Sequence, residues 1–369
     1  MAPDQNSPRE MQIDKLLGCV VDKGASDLHI KVGYKPYTRL HGELHSIETQ
    51  TVDQEIMHKL LRGVLDDSRL AEFQEKKNMD SSLILDIPNK GKYRFRINVA
   101  QASKNPYISI RAIPEKIIDV RNVGFPFDVW QDIINLHQGL VLVTGTTGSG
   151  KTTTLASLIE EINKTANKHI VTIEDPVEYL YTSKKSIISQ RELGVDVDSF
   201  YNGVKFSLRQ DPDIVLVGEI RDRETAEKAL ESSSTGHVVF STLHTNNAAE
   251  TVSRYVNLFE VNDHANIRNL LASNLKYVLS QKLIPYKKGA GRTLAMEVLN
   301  VGASAAIRKH LREGEYHQIM GAMQTAKTQK TITMDARLEQ LVADGKITEE
   351  DAIEHAYNPD ALRSKYLNK

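Results

Sequence analysis

The rhythm of apolar and polar positions changes near Leu140, and the two halves on either side of that change read as different kinds of fold. After a polar lead over residues 1–10, positions 13–21 repeat apolar residues at helical spacing, and strand-like pieces follow at 28–32 and 38–40. Residues 53–76 read as a helical stretch, and residues 82–87, 93–100 and 107–112 alternate like half-buried antiparallel strands. Beyond Leu140 the apolar residues come instead in short continuous runs, 140–143, 169–173, 213–217 and 237–242, separated by helical segments. That is the pattern of a mainly parallel sheet covered on both faces. Further helices are expected at 152–162, 265–283, 303–314, 334–343 and 348–355.

The fold class expected is therefore α/β. An α+β domain over residues 1–113 is joined by a linker, 114–127, to a nucleotide-binding type of domain over 128–369 with a helical C-terminal extension. Pro114, Gly124 and Pro126 break both periodicities in the linker.

Composition changes this picture little. With 369 residues, 40% hydrophobic and 26% charged, the chain has room for two or three domains with full cores. A formal net charge of −1 supplies no global field for nucleic acid or an acidic membrane surface. The one cysteine, Cys19, excludes an internal disulfide and a multi-thiolate zinc site, and suits a reducing compartment. No signal peptide opens the chain and no uncharged run reaches the roughly 18 residues of a membrane span. The chain is therefore expected in the cytoplasm, with any membrane contact made through a partner protein.

Chemistry enters at the ends of the apolar runs, where ligands of open α/β sheets bind. The first run ends in Gly145-Thr146-Thr147-Gly148-Ser149-Gly150-Lys151-Thr152, a phosphate-binding loop. Glycine lets backbone amides point at a triphosphate, Lys151 offers a charge between the β- and γ-phosphates, and the Thr152 hydroxyl is placed for Mg²⁺. Thr147 to Thr153 together form the expected ATP-binding segment, with Ser149 and Thr153 included. The second run ends in Glu174 and Asp175, with Glu178 in the same loop, and the third in Gly218-Glu219. Glu219 is assigned to the attacking water, and Glu174, Asp175 and Glu178 to the surroundings of the metal and phosphates. The fourth run opens with His237 and ends with His244. An odd separation in an extended chain turns these two side chains to opposite faces, so they should have different jobs. His244 is expected to bond the γ-phosphate, while His237 is either a structural residue or a further nucleotide contact.

In the first half, a period of two puts Lys92, Arg94 and Arg96 on one strand face and Tyr93, Phe95 and Ile97 on the other. Arg111 is expected on a neighbouring strand. The basic face is either a solvated surface or a set of arginine fingers reaching the triphosphate of an adjacent subunit.

With these pieces in place, the chain resembles the secretion ATPases of type II secretion and type IV pili, most closely the PilT-type pilus retraction ATPases. The match runs over residues 14–356 and is carried by four motifs: Gly24 to His29, Thr172 to Glu178, Arg209 to Glu219 and Thr235 to His244. The resemblance implies a PAS-like first domain, a RecA-like second one, a homohexameric ring, Glu219 as catalytic acid, and Arg96 and Arg111 as contributors to the site. It also implies an inner-membrane pilus platform protein as partner, no direct nucleic-acid contact, and a place at the inner face of the membrane. Extension ATPases of the superfamily carry a longer N-terminus and a tetracysteine motif, and neither is found here. Retraction members carry Ala-Ile-Arg-Asn-Leu-Ile-Arg-Glu, which this chain keeps only in frame, over 306–313, with Lys309 and His310 in the middle. A second signature survives as Thr333-Met334-Asp335. The alternatives left open are a weakly hydrolysing accessory paralogue that regulates another pilus motor, to which these departures point, and a pilus extension or type II secretion ATPase.

Overall fold

A computed structural model describes residues 11–40, 43–88, 90–113, 116–289, 291–326 and 329–367. The polar lead over 1–10 and the first linker positions, 114 and 115, lie outside the described residues, as does the side chain of Lys92. Two compact units are present, Met1–Lys116 and Ile117–Lys369.

The first unit is α+β. Helix α1 (Ile13–Asp22) precedes strands β1 (Asp27–Lys31), β2 (Tyr37–Leu40) and β3 (Glu43–Ser46). Helices α2 (Gln54–Val64) and α3 (Asp67–Lys76) lead to β4 (Asn78–Ile87), β5 (Gly91–Ala102) and β6 (Asn105–Ile113). The helix expected over 53–76 is thus two helices. Leu65 is extended and the Asp66 side chain caps the second by accepting from the Arg69 amide, which costs about 1 kcal/mol to remove. The six strands form an antiparallel sheet in the order β3-β2-β1-β6-β5-β4. Leu28, Ile30, Phe95, Ile97, Ile108 and Ile110 bury one face under α1 and α2, each contributing on the order of 2 kcal/mol. The opposite face is polar, and one row across it reads Arg39, Asp27, Arg111, Arg96 and Ser82.

The second unit is α/β. Residues 117–127, expected as linker, contribute Val120 and Phe125 to its core beside Trp130 of α4 (Val129–Ile134). There follow β7 (Gly139–Thr144), α5 (Lys151–Thr165), β8 (His169–Glu174), β9 (Ile187–Glu192), α6 (Phe200–Ser207), β10 (Ile214–Val217), α7 (Arg223–Ser234), β11 (Val238–Leu243) and α8 (Ala248–Val256). Next come α9 (His264–Asn274), β12 (Leu275–Pro285), β13 (Arg292–Asn300), α10 (Ala305–Glu313), α11 (Tyr316–Thr325), α12 (Met334–Ala343), α13 (Glu349–His355) and α14 (Pro359–Leu367).

The sheet order is β13-β12-β7-β11-β10-β8-β9, parallel except for β13. Its central strands, β7, β8, β10 and β11, are buried on both sides, with successive residues pointing to opposite faces. Leu140, Leu142, Val215 and Val217 enter the core under α6 to α11, and Val141, Val143, Ile214 and Leu216 the core under α4 and α5. One expected element is corrected: the helix over 265–283 ends at Asn274, and Leu275–Pro285 is strand β12, paired with β7 on one side and β13 on the other. Its apolar run carries no period of its own, and the vacant edge of β7 decides its conformation.

Candidate active site

Four parallel strands, β7, β11, β10 and β8, end at one edge, and the loop that leaves each of them carries the chemistry. After β7 the chain wraps through Gly145, Gly148 and Gly150, all at positive φ, before α5 starts at Lys151. At Gly145 there is also no space for a side chain, since a Cβ would come within 2.5 Å of the Gln281 carbonyl and of Ser149 Oγ. Lys151 Nζ donates to the carbonyls of Gly145 (2.9 Å) and Thr146 (3.1 Å). Burial holds its ammonium below the ordinary value, while Glu219 and Glu178 pull the other way. Ser149 Oγ is buried with no hydrogen-bond partner among the described residues. A cramped glycine turn, a helix N-terminus, a lysine and an unpartnered hydroxyl together suit a bound polyphosphate. Thr152, in the first turn of the same helix, has the oxygen donor that Mg²⁺ takes. Thr153 Oγ1 is 3.1 Å from the Tyr179 hydroxyl and ties the helix to the loop after β8.

Glu219 leaves β10 with its carboxylate largely covered. One oxygen accepts from Arg221 Nη2, and the other lies 3.6 Å from His244 Nε2 at the end of β11. Burial, then Lys151, hold the His244 imidazole below its ordinary value, opposed by Glu219, so it is neutral at pH 7. Beneath His244 runs a buried chain of hydroxyls: Thr245 to Thr251 at 2.7 Å, Thr251 to Thr144 at 3.4 Å, and Thr144 to Ser280 at 2.9 Å. It ties the loop to α8, β7 and β12 together.

The remaining expected residues divide. Glu178 acts on Lys151 and Asp175 acts on Arg221 through their charges, which keeps both at this edge. Glu174 is turned inward. Its carboxylate accepts from Thr172 Oγ1 (2.7 Å) and Gln190 Nε2 (3.2 Å), and burial pushes its pKa up. His237 lies apart from these: it precedes β11, its carbonyl accepts from the Gly139 amide at the start of β7, and its Nδ1 lies 3.1 Å from the Ser232 carbonyl. In a parallel sheet the residue before a strand lies at the opposite edge from the residue after it. Six strand residues, about 20 Å, therefore separate His237 from the phosphate loop within this chain. Arg96 and Arg111 belong to the first unit, where they face each other directly across β5 and β6. Arg111 Nε donates to Asp27 at 2.8 Å, whereas Arg96 forms no hydrogen bond or ion pair among the described residues.

Sequence reasoning missed Arg221, Gln281 and Lys282. Gln281 Nε2 donates to Thr154 of α5 at 2.6 Å, fixing the helix behind the phosphate loop to β12. Beside that loop opens a cavity of about 350 Å³, walled by Asn246, Lys282, Leu283, Arg292 and His355. It is large enough for a base or ribose next to a phosphate chain.

Comparison with known proteins follows the same lines. The profile of the family described as Type II/IV secretion system protein matches residues 3–356. The chain is 39% identical over 350 residues to the type IV pilus retraction ATPase PilT of Pseudomonas aeruginosa, covering 95% of this chain and 99% of that one. It is 39% identical over 327 residues to a twitching motility protein of Neisseria gonorrhoeae, covering 89% and 86%. The crystal structure of the pilus retraction motor PilT with bound ADP superposes with a TM-score of 0.86 at 37% identity, covering 96% of this chain and 99% of that one.

Proposed function

We propose a function from one premise: the chain belongs to the Type II/IV secretion system protein family. Within that family it is an ATPase, the motor that powers type IV pilus retraction and with it twitching motility, as its similarity to the Pseudomonas and Neisseria proteins supports. The observation that carries the chemistry is the edge at which Lys151, Glu219 and His244 converge.

In this reading ATP lies with its phosphates in the loop from Thr147 to Thr153 and its nucleoside in the adjacent cavity. Lys151 leaves the Gly145 and Thr146 carbonyls for the β- and γ-phosphates. Glu219 orients the attacking water and takes its proton as the β–γ bridging bond breaks, giving ADP and phosphate. Neutral His244 donates to a γ-phosphate oxygen. Thr152 would hold Mg²⁺, with Asp175 and Glu178 nearby, and that ion would offset charge on the phosphate oxygens. Arg96 and Arg111 act in trans, from a neighbouring copy in a homohexameric ring. No helix among the described residues is long and apolar enough to cross a membrane. In this reading the ring works from the cytoplasm, at the inner face of the membrane, on a platform protein of the pilus machine.

Two substitutions test the chemistry. Lys151→Ala abolishes ATP binding, and Glu219→Gln binds ATP with little change while turnover falls about a thousandfold. Turnover by Glu219→Gln equal to that of the parent would remove Glu219 from its role.

A further inference from the structure

Part of the wall beside the phosphate loop is held in place by a residue that is not itself in the wall, Tyr357, in the turn between α13 and α14. The Tyr357 amide and the following Asn358 amide donate to the two carboxylate oxygens of Asp335, at 2.7 and 3.0 Å, so its backbone is fixed to the first turn of α12. Its side chain then makes two contacts of different kinds. The hydroxyl donates to the Asn246 carbonyl, two residues beyond His244. The ring lies 4.5 Å from Lys282 Nζ, and the same ammonium donates to the His355 carbonyl at 2.7 Å, at the carbonyl-rich end of α13. Asn246, Lys282 and His355 are all walls of the cavity. Burial pushes the Tyr357 hydroxyl far above its ordinary value, so it stays a donor at any working pH.

We propose that Tyr357 is a positioning residue for nucleotide binding: it seats the Lys282 cation and the Asn246 backbone as one wall of the cavity that receives the nucleoside part of ATP. The inference rests on the ATP reading above and adds the C-terminal helices to it. A lysine left to itself has four rotatable bonds and a large choice of positions. Here one carbonyl and one ring restrict it, and the ligand does not have to supply that ordering when it binds. The interaction is with bound ATP before and during the reaction alike, so its loss should appear in KM rather than in kcat.

The test is steady-state ATP turnover and equilibrium ATP binding for the full chain and four variants. Tyr357→Ala should raise KM and Kd about tenfold with kcat within about twofold, and Lys282→Met should do the same. Tyr357→Phe keeps the ring under the lysine, loses only the hydroxyl, and should raise KM about threefold. The Tyr357→Ala, Lys282→Met double variant should be no worse than Tyr357→Ala and should exceed Lys282→Met by no more than the about threefold of the hydroxyl contact, because the two substitutions share the loss of the lysine seat. The proposal is overturned by unchanged KM in Tyr357→Ala, by a fall in kcat at constant KM, or by single effects that multiply in the double variant. If Tyr357→Ala does not fold, the decision falls to Tyr357→Phe: KM equal to the parent's refutes the hydroxyl contact. A parent that binds ATP without turning it over counts against the hydrolytic reading alone, and the Kd comparison still decides this one.

Discussion

Glu219 faces a different nitrogen with each of its carboxylate oxygens, Arg221 on one side and His244 on the other, and the two neighbours have different consequences. Arg221 is mostly exposed, so the pair contributes little to stability. Its charge nevertheless helps keep His244 uncharged, after burial and Lys151. If neutral His244 is the working form, kcat is flat near pH 7 and falls only as pH drops through a value below the ordinary imidazole 6.5. Arg221→Ala should move that acid limb toward the ordinary value while leaving the melting temperature within experimental scatter. His244→Asn should lower kcat about a hundredfold and abolish the limb, and a pH–rate profile of the three proteins decides both points. An acid limb retained in His244→Asn would assign it to another group. Lys151, Glu219 and His244 were readable from the chain because each ends or follows an apolar run, and the parallel sheet then carries them to a common edge. Arg221 gave no such signal. Its role comes from a side chain that folds back two residues, and that of Lys282 from a strand that had read as helix.

Helices α8 and α12 begin on the same buried carboxylate. Glu297 of β13 is fully buried, and its two oxygens accept from the amides of Ala248 (2.7 Å) and Met334 (3.1 Å), the first residues of those helices. One acid thus completes two helix N-termini, whose dipoles favour its charge. Burial outweighs them and pushes its pKa up to about 7. Between the unfolded value near 4.5 and about 7, the folded chain holds a proton that the unfolded chain has already released, so this group's contribution to stability falls as pH rises through that window. Glutamine can accept with one oxygen only and turns an NH₂ toward the other amide. Glu297→Gln should therefore lose about 2 kcal/mol at pH 5, with a smaller loss at pH 7.5, as measured by denaturant unfolding at the two values. An equal loss at both would show that Glu297 does not titrate in this range. No periodicity reveals such a residue, since a glutamate in the run Met296-Glu297-Val298 looks like the exposed side of a strand. The same limit explains why α9 was extended through β12. Leu275–Pro285 is buried on both faces, and a segment of that kind has no alternation to separate strand from helix.

At the scale of the whole molecule, the first unit presents a row of side chains in which Arg39 and Arg111 flank one acid, Asp27, and Arg96 stands beyond Arg111 on the next strand. That alternating strand was legible from Lys92 to Ile97, because Phe95 and Ile97 are fully buried and the arginines take the other side. Which copy of the chain those arginines serve is a property of assembly, and local pattern does not encode it. Complementation separates the alternatives. Arg96→Ala and Lys151→Ala should each lower ATPase turnover at least a hundredfold. If the finger acts in trans, a site works when an intact phosphate loop is followed by a neighbour with an intact Arg96. In a ring assembled at random from equal amounts of the two variants, that arrangement occurs at about a quarter of the interfaces. Co-refolded mixtures should then recover about that fraction of parental turnover, with a maximum near equal proportions. If instead each chain used its own arginine, every subunit in the mixture would carry one defect or the other. Turnover would stay at the single-variant level at every ratio, and Arg96 would lose its place as a finger from the neighbouring subunit.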